Sequence, residues 1–134
     1  MKKFQKLFKE LKKLNLPINQ FSVFAGASLA ILKIRESGDI DIIVKEELWK
    51  KLSKKYKIQK RGLSECIDIK DIEIWHDLLP LSKDVDKYIN NSNIIDKIPF
   101  IKLKYTLQWK IAYNREKDQN DIKLIKDYLK KKKC

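Results

Sequence analysis

Phe21 to Val44 reads FSVFAGASLAILKIRESGDIDIIV, and this stretch decides the fold. The apolar run from Phe21 to Ala25 stops at Gly26, and Ser28 to Lys33 resumes with helix-compatible residues. That order predicts a strand, a tight turn and a short helix. Ser37-Gly38 then breaks the chain, and Asp39 to Val44 reads as a β-branched strand. Side chains alternate along a strand, so Asp39 and Asp41 share a face and are neighbours. Two such carboxylates can grip a Mg²⁺ ion that bridges phosphate oxygens. In the turn before them, glycine lets backbone approach a phosphate, N–H groups can face the anion, and the Ser28 hydroxyl adds a donor.

The turn matters because Asp-x-Asp alone is uninformative in a chain with 11 aspartates. Asp84-Val85-Asp86 has the same spacing but lies in a helical pattern, where residues two apart diverge. It is assigned to a solvated face.

Outward from this stretch, Phe4, Leu7, Phe8, Leu11 and Leu14 make the stripe of an amphipathic first helix, ended by Asn15-Leu16-Pro17. Glu46 to Lys55 reads as a helix with Leu48, Trp49 and Leu52 inward, and Tyr56 to Arg61 as a strand. Gly62 is the expected turn. Glu65 to Ile69 and Ile72 to Trp75 can pair as a hairpin around Lys70-Asp71, with Asp71, Glu73 and Trp75 on one face. From Ser82 onward the pattern turns helical: Asp84 to Asn90, Leu103 to Tyr113 after Pro99, and Asp118 to the end. The expected fold class is α/β (α+β), a mixed twisted β-sheet flanked by helices. A length of 134 residues leaves room for one domain, 1–134, divided into an α/β core at 1–98 and a short helical C-terminal part at 99–134.

No run approaches a membrane span, and the amino terminus leads into an amphipathic pattern rather than an apolar signal core, so a cytoplasmic protein with no membrane partner is expected. Cys66 and Cys134 are too few for a disulfide framework, and Cys66 reads as a small core residue. His76 is the only histidine, so any metal must be held by oxygen, which selects Mg²⁺ or Mn²⁺. The net charge of +13 suits a polyanion such as RNA, DNA or a triphosphate. However, 28 of the 31 basic residues are lysine and 19 residues are isoleucine, a joint enrichment that composition bias also produces. Only Lys130 to Lys133 form a run, and a solvated helix end is the simpler reading.

The Gly-x-Ser turn and Asp39-x-Asp41 resemble the nucleotidyltransferase superfamily related to DNA polymerase beta, and the resemblance extends over most of the chain. Arg35-Glu36-Ser37-Gly38 is similar to the family's Arg-x-Ser/Thr lead-in to its first aspartate. The resemblance implies a minimal nucleotidyltransferase fold and a third acidic residue on a later strand. Glu73 matches best, with Asp71 on the same face as the fallback and Asp68 in the neighbouring strand. Where the family has all three acids, the third serves as general base or second metal ligand; glutamate there is a departure. Lys110, Arg115-Glu116-Lys117-Asp118 and Asp121 resemble the helical segment of compact antibiotic-type and toxin-antitoxin-type members.

The resemblance thus implies that Asp39, Asp41 and Glu73 hold the metal and catalyse. On the same resemblance Gly26, Ser28, Arg35, Lys110 and Lys117 are expected to bind a nucleoside triphosphate. Asp118 is expected to cap the last helix, and Trp75 and Trp109 either stack on a base or belong to the core. The expected reaction transfers an NMP group, AMP by expectation, to a hydroxyl acceptor with release of pyrophosphate. The acceptor, whether protein, small molecule or RNA end, is open. A two-protein module, with this chain as the antitoxin-like half, is one implied setting. The alternative is a non-catalytic nucleotide-, RNA- or protein-binding module on the same fold.

Overall fold

The computed structural model describes residues 2–132. Cys134 and the last lysine of the 130–133 run lie outside them.

In chain order the elements are α1 (Lys2–Lys13), β1 (Phe21–Phe24), α2 (Gly26–Ile31), β2 (Ile40–Val44), α3 (Glu46–Lys55), β3 (Ile58–Arg61), β4 (Ser64–Ile69) and β5 (Ile72–Trp75). They continue with α4 (Asp86–Asn90), β6 (Asn93–Ile95), β7 (Ile98–Phe100), α5 (Leu103–Tyr113) and α6 (Asp118–Lys132). The strands form one mixed sheet in the order β3-β4-β5-β2-β1-β7-β6. β1 pairs antiparallel with β2 and parallel with β7, while β2 and β5 run parallel. This is the mixed α+β class expected. No helix among the described residues is long and apolar enough to cross a membrane.

Period-two alternation gives the sheet two different faces. On one, Phe21, Val23, Ile40, Ile42, Val44, Ile67, Ile72 and Ile74 meet the apolar stripes of α1 and α3 in a continuous core. Ile42 and Ile74 are fully buried there, and truncating either to alanine should cost ~2–5 kcal/mol. On the other face, Phe24 and Ile43 pack with Leu78, Val85, Tyr88, Ile89 and Ile101, walled by Trp75, Tyr105 and Trp109. Asp41 lies between Ile40 and Ile42 in sequence, so it projects onto this second face.

The largest departure from the sequence reading is the β6–β7 hairpin, in a region read as helical. Asp96 and Lys97 both take left-handed backbone, with φ of 49° and 69°, the geometry of a two-residue hairpin turn usually built with glycine or asparagine. The strands it joins are three residues each, too short for alternation to register. β7 extends the sheet through Phe100, across the expected division at 98/99. Asp84 also lies outside α4. Its Oδ1 accepts the Asp86 N–H at 3.0 Å, and both residues are exposed, in keeping with a solvated role.

Candidate active site

Strand register assembles the carboxylates. Asp41 is paired with Phe24 of β1 on one side and with Glu73 of β5 on the other, and Glu73 is paired in turn with Asp68 of β4. Four strands therefore present Phe24, Asp41, Glu73 and Asp68 in one row. Asp39, in the bend just before β2, joins them from the strand end. One oxygen each from Asp39, Asp41 and Glu73 lies within 4.8 Å of the others.

These oxygens fit a hard divalent cation on two grounds. The donor set is carboxylate only, and of its three members Glu73 alone has an ion-pair partner among the described residues, Arg61. Burial, then the neighbouring Asp39, push the Asp41 carboxyl up to about 6, against hydrogen bonds from Trp75 and Glu73 and the nearby Lys110. Burial, then Asp41 and Asp39, push Glu73 up to about 8, with Arg61 opposing. A cation would relieve that repulsion. Trp75 donates its indole N–H to Asp41 Oδ1 at 3.1 Å, which gives the carboxylate one donor within the protein.

The triad opens into a cavity of about 520 Å³, within the usual range of small-molecule sites. Gly26 lines it, and so do Arg35, Lys110 and Lys117. A side chain at Gly26 would place its Cβ 3.0 Å from Arg35 Nη2 and 3.2 Å from Ser37 Oγ, so glycine is what lets the guanidinium lie against the turn. The preceding Ala25 has φ 60° and ψ −137°, backbone that only glycine adopts without strain. Lys117 is exposed at the rim.

Ser28 is not brought to the cavity. It is 2% exposed, and its hydroxyl donates back to the Val23 carbonyl at 3.4 Å, because α2 turns it into the interior. The fallback Asp71 is exposed in the β4–β5 turn, where its carbonyl accepts the Ile40 N–H. Asp68 is held by Arg61. Lys110 is 4% exposed and ion-paired to Asp118 at 3.4 Å and Asp121 at 3.0 Å. Asp118 accepts the backbone N–H of Arg115 rather than N–H groups within α6. Burial raises the Asp118 carboxyl, but Arg115 and Lys110 more than offset it, and Asp121 is likewise held below the usual range by Arg35 and Lys110 against burial. Trp109 donates to the Leu79 carbonyl and packs edge-on against Phe24 at 5.2 Å.

The sequence reading missed Arg61 and Trp75 as the donor to Asp41; Asp121 is named in the helical-segment resemblance, without the role of holding Arg35. Arg61 bonds Glu73 Oε1 at 2.5 Å and Asp68 through both Nη atoms, at 3.2 and 2.8 Å. Its guanidinium also lies 3.6 Å from Cys66 Sγ, a buried thiol that burial and Asp68 push up to about 12. A usable signal existed. The chain has only three arginines against 28 lysines, and all three line this cavity. Each grips an aspartate with two bonds: Arg35 with Asp121, Arg61 with Asp68, and Arg115 with Asp118. Lysine cannot make that fork, so arginine is used here where two-point geometry is needed.

Comparison with protein-family models, with curated proteins and with solved structures finds no match for this chain.

Proposed function

We propose that the chain is a Mg²⁺-dependent nucleotidyltransferase that moves an NMP group, AMP by expectation, from a nucleoside triphosphate to a hydroxyl acceptor. The observation that carries the reading is the meeting of Asp39, Asp41 and Glu73 oxygens within 4.8 Å, in the same cavity as the Gly26 turn. The sequence resemblance to the polymerase-beta-related superfamily, with its Asp-x-Asp and third acid, points the same way.

Asp39, Asp41 and Glu73 would hold the ion, which when bound supplies charge neutralisation at phosphate oxygens. Gly26 lets Arg35 lie against the turn, where its guanidinium can meet a phosphate, and Lys117 offers further positive charge at the cavity wall. The acceptor oxygen bonds to the α-phosphorus as the bond to the α,β-bridging oxygen breaks, and pyrophosphate leaves. Glu73, once ionised, takes the acceptor proton. Arg61 opposes that role by occupying Glu73 Oε1, and this favours a second reading. In it the fold binds nucleotide without transfer, alone or until a protein partner completes the site.

Incubation of the protein with each labelled triphosphate, Mg²⁺ and a lysate tests the proposal. Label should move to a discrete acceptor with the wild type and not with Asp39→Asn/Asp41→Asn. Nucleotide-dependent stabilisation without any transfer supports the second reading.

A further inference from the structure

Asp121 stands apart from the metal triad, on the first turn of α6. Its carboxylate is 8% exposed, and both oxygens are engaged by cations of the cavity wall. Arg35 Nε donates to Oδ1 at 2.6 Å and Arg35 Nη2 to Oδ2 at 2.8 Å. Lys110 Nζ lies 3.0 Å from the same Oδ2. One buried acid thus fixes two cations carried by different parts of the chain: the loop between α2 and β2, and helix α5.

Both cations line the cavity. Arg35 places Nη2 and Nη1 at 3.0 and 3.4 Å from where a Cβ on Gly26 would sit, so it lies directly against the turn. Its Nη1 also donates to the Glu36 carbonyl at 2.7 Å. Three of its five N–H groups are thereby engaged, which holds the guanidinium plane while leaving donors for an incoming anion. Lys110, 5% exposed at its side chain, would be an uncompensated buried charge without Asp118 and Asp121.

We infer that Asp121 is a positioning residue for triphosphate binding, which it serves by holding Arg35 over the Gly26 turn and Lys110 in the cavity wall. The inference rests on the nucleotide reading above and deepens it: α6 is part of the binding apparatus, although Asp121 need not touch ligand. A purely structural pin between α6 and the loop would make the same contacts, so the test must separate binding from stability.

Asp118 supplies the control. It is buried too, at 1% exposed against 5%, and also pairs with Lys110, but the guanidinium it holds is that of Arg115 and not that of Arg35. Binding of Mg-ATP, and separately of Mn²⁺ alone, is measured by calorimetry on the full chain for wild type, Asp121→Asn, Asp118→Asn, Arg35→Gln and Arg35→Gln/Asp121→Asn. Expected is at least a tenfold weaker Mg-ATP affinity for Asp121→Asn than for Asp118→Asn, with Mn²⁺ affinity within about threefold of wild type. Adding Asp121→Asn to Arg35→Gln should cost less than it does alone, since the pair acts through one interaction. Equal losses for Asp121→Asn and Asp118→Asn, or fully additive losses, would overturn the inference. If Asp121→Asn does not fold, Arg35→Gln decides: tenfold weaker binding supports the inference and unchanged binding overturns it. A wild type that binds Mn²⁺ but no triphosphate overturns the nucleotide reading, and this inference falls with it.

Discussion

Asp41 and Glu73 face each other in register on the parallel strands β2 and β5, so the backbone itself holds two carboxylates side by side. Neither Asp39 nor a loop is needed to bring them together. Parallel pairing of β2 with β5 needs a crossover between them, here α3, β3 and β4, so topology brings Glu73 to the local Asp39-x-Asp41 motif.

That pairing sets a pH dependence. The pKa values of Asp41 and Glu73 are raised from 3.8 and 4.5 to about 6 and about 8, so the folded protein binds these protons more tightly than the unfolded chain. Their stabilising contribution is full below about pH 4 and is lost as pH rises through 6 and then 8. Asp68, Asp118 and Asp121, held below their usual range, act oppositely and lose theirs as pH falls below about 4. The metal-free protein should therefore melt highest in mildly acidic buffer. Mn²⁺, competing with those protons, should raise Tm more at pH 8.5 than at pH 5.5, and a larger shift at pH 5.5 would contradict the arrangement.

Asp41→Asn removes one like charge and keeps an oxygen for the Trp75 indole. In metal-free buffer at pH 8.5 the variant should be more stable than wild type by ~1 kcal/mol, a few degrees in Tm. With Mn²⁺ the order should reverse. Thermal melts with and without the ion read both.

Gly26 and Ser28 should separate sharply. Gly26→Ala drives a Cβ toward Arg35 and Ser37, and Arg35 is pinned by Asp121, so triphosphate affinity should fall roughly tenfold, ~1.4 kcal/mol. Ser28→Ala removes a buried, long hydrogen bond outside the cavity. Its triphosphate affinity should stay within about twofold, with a stability change of at most ~1 kcal/mol. Equilibrium binding of the two variants checks the contrast.

Ala25 carries strain at the edge of the site. Its φ of 60° with ψ of −137° costs of the order of 1–3 kcal/mol for a residue with a Cβ. Ala25→Gly relieves it but adds unfolded-state entropy worth ~0.5–1 kcal/mol. A net gain of ~1 kcal/mol in denaturant melts is expected; a net loss would mean that the strain is not there.

Much of this was legible in the sequence, because the relevant signals are local. The β1 turn, the Asp39-Ile40-Asp41 strand entry, α3, α5 and the Lys70 turn all follow from periodicity and breakers. Contacts made across the sheet left no such trace. Ser28 faces inward because α2 is only six residues long and packs its whole middle against the sheet, which no spacing reveals. Arg61 reaches Glu73 only through strand register, and Asp121 meets Arg35 across 86 positions. The β6–β7 hairpin hid because Asp96 and Lys97 occupy left-handed positions without glycine. Arginine rarity in a lysine-dominated chain was the one non-local clue on view, and it marks the cavity.

The central claim is metal-dependent chemistry at the Asp39, Asp41 and Glu73 triad. Its most direct measurement is Mg²⁺-dependent release of pyrophosphate, with matching transfer of α-labelled nucleotide to a lysate acceptor, for wild type and Asp39→Asn/Asp41→Asn. The account predicts both signals in the wild type and at least a hundredfold loss of both in the variant, about 2.7 kcal/mol in barrier. Turnover unchanged by the double substitution would contradict it.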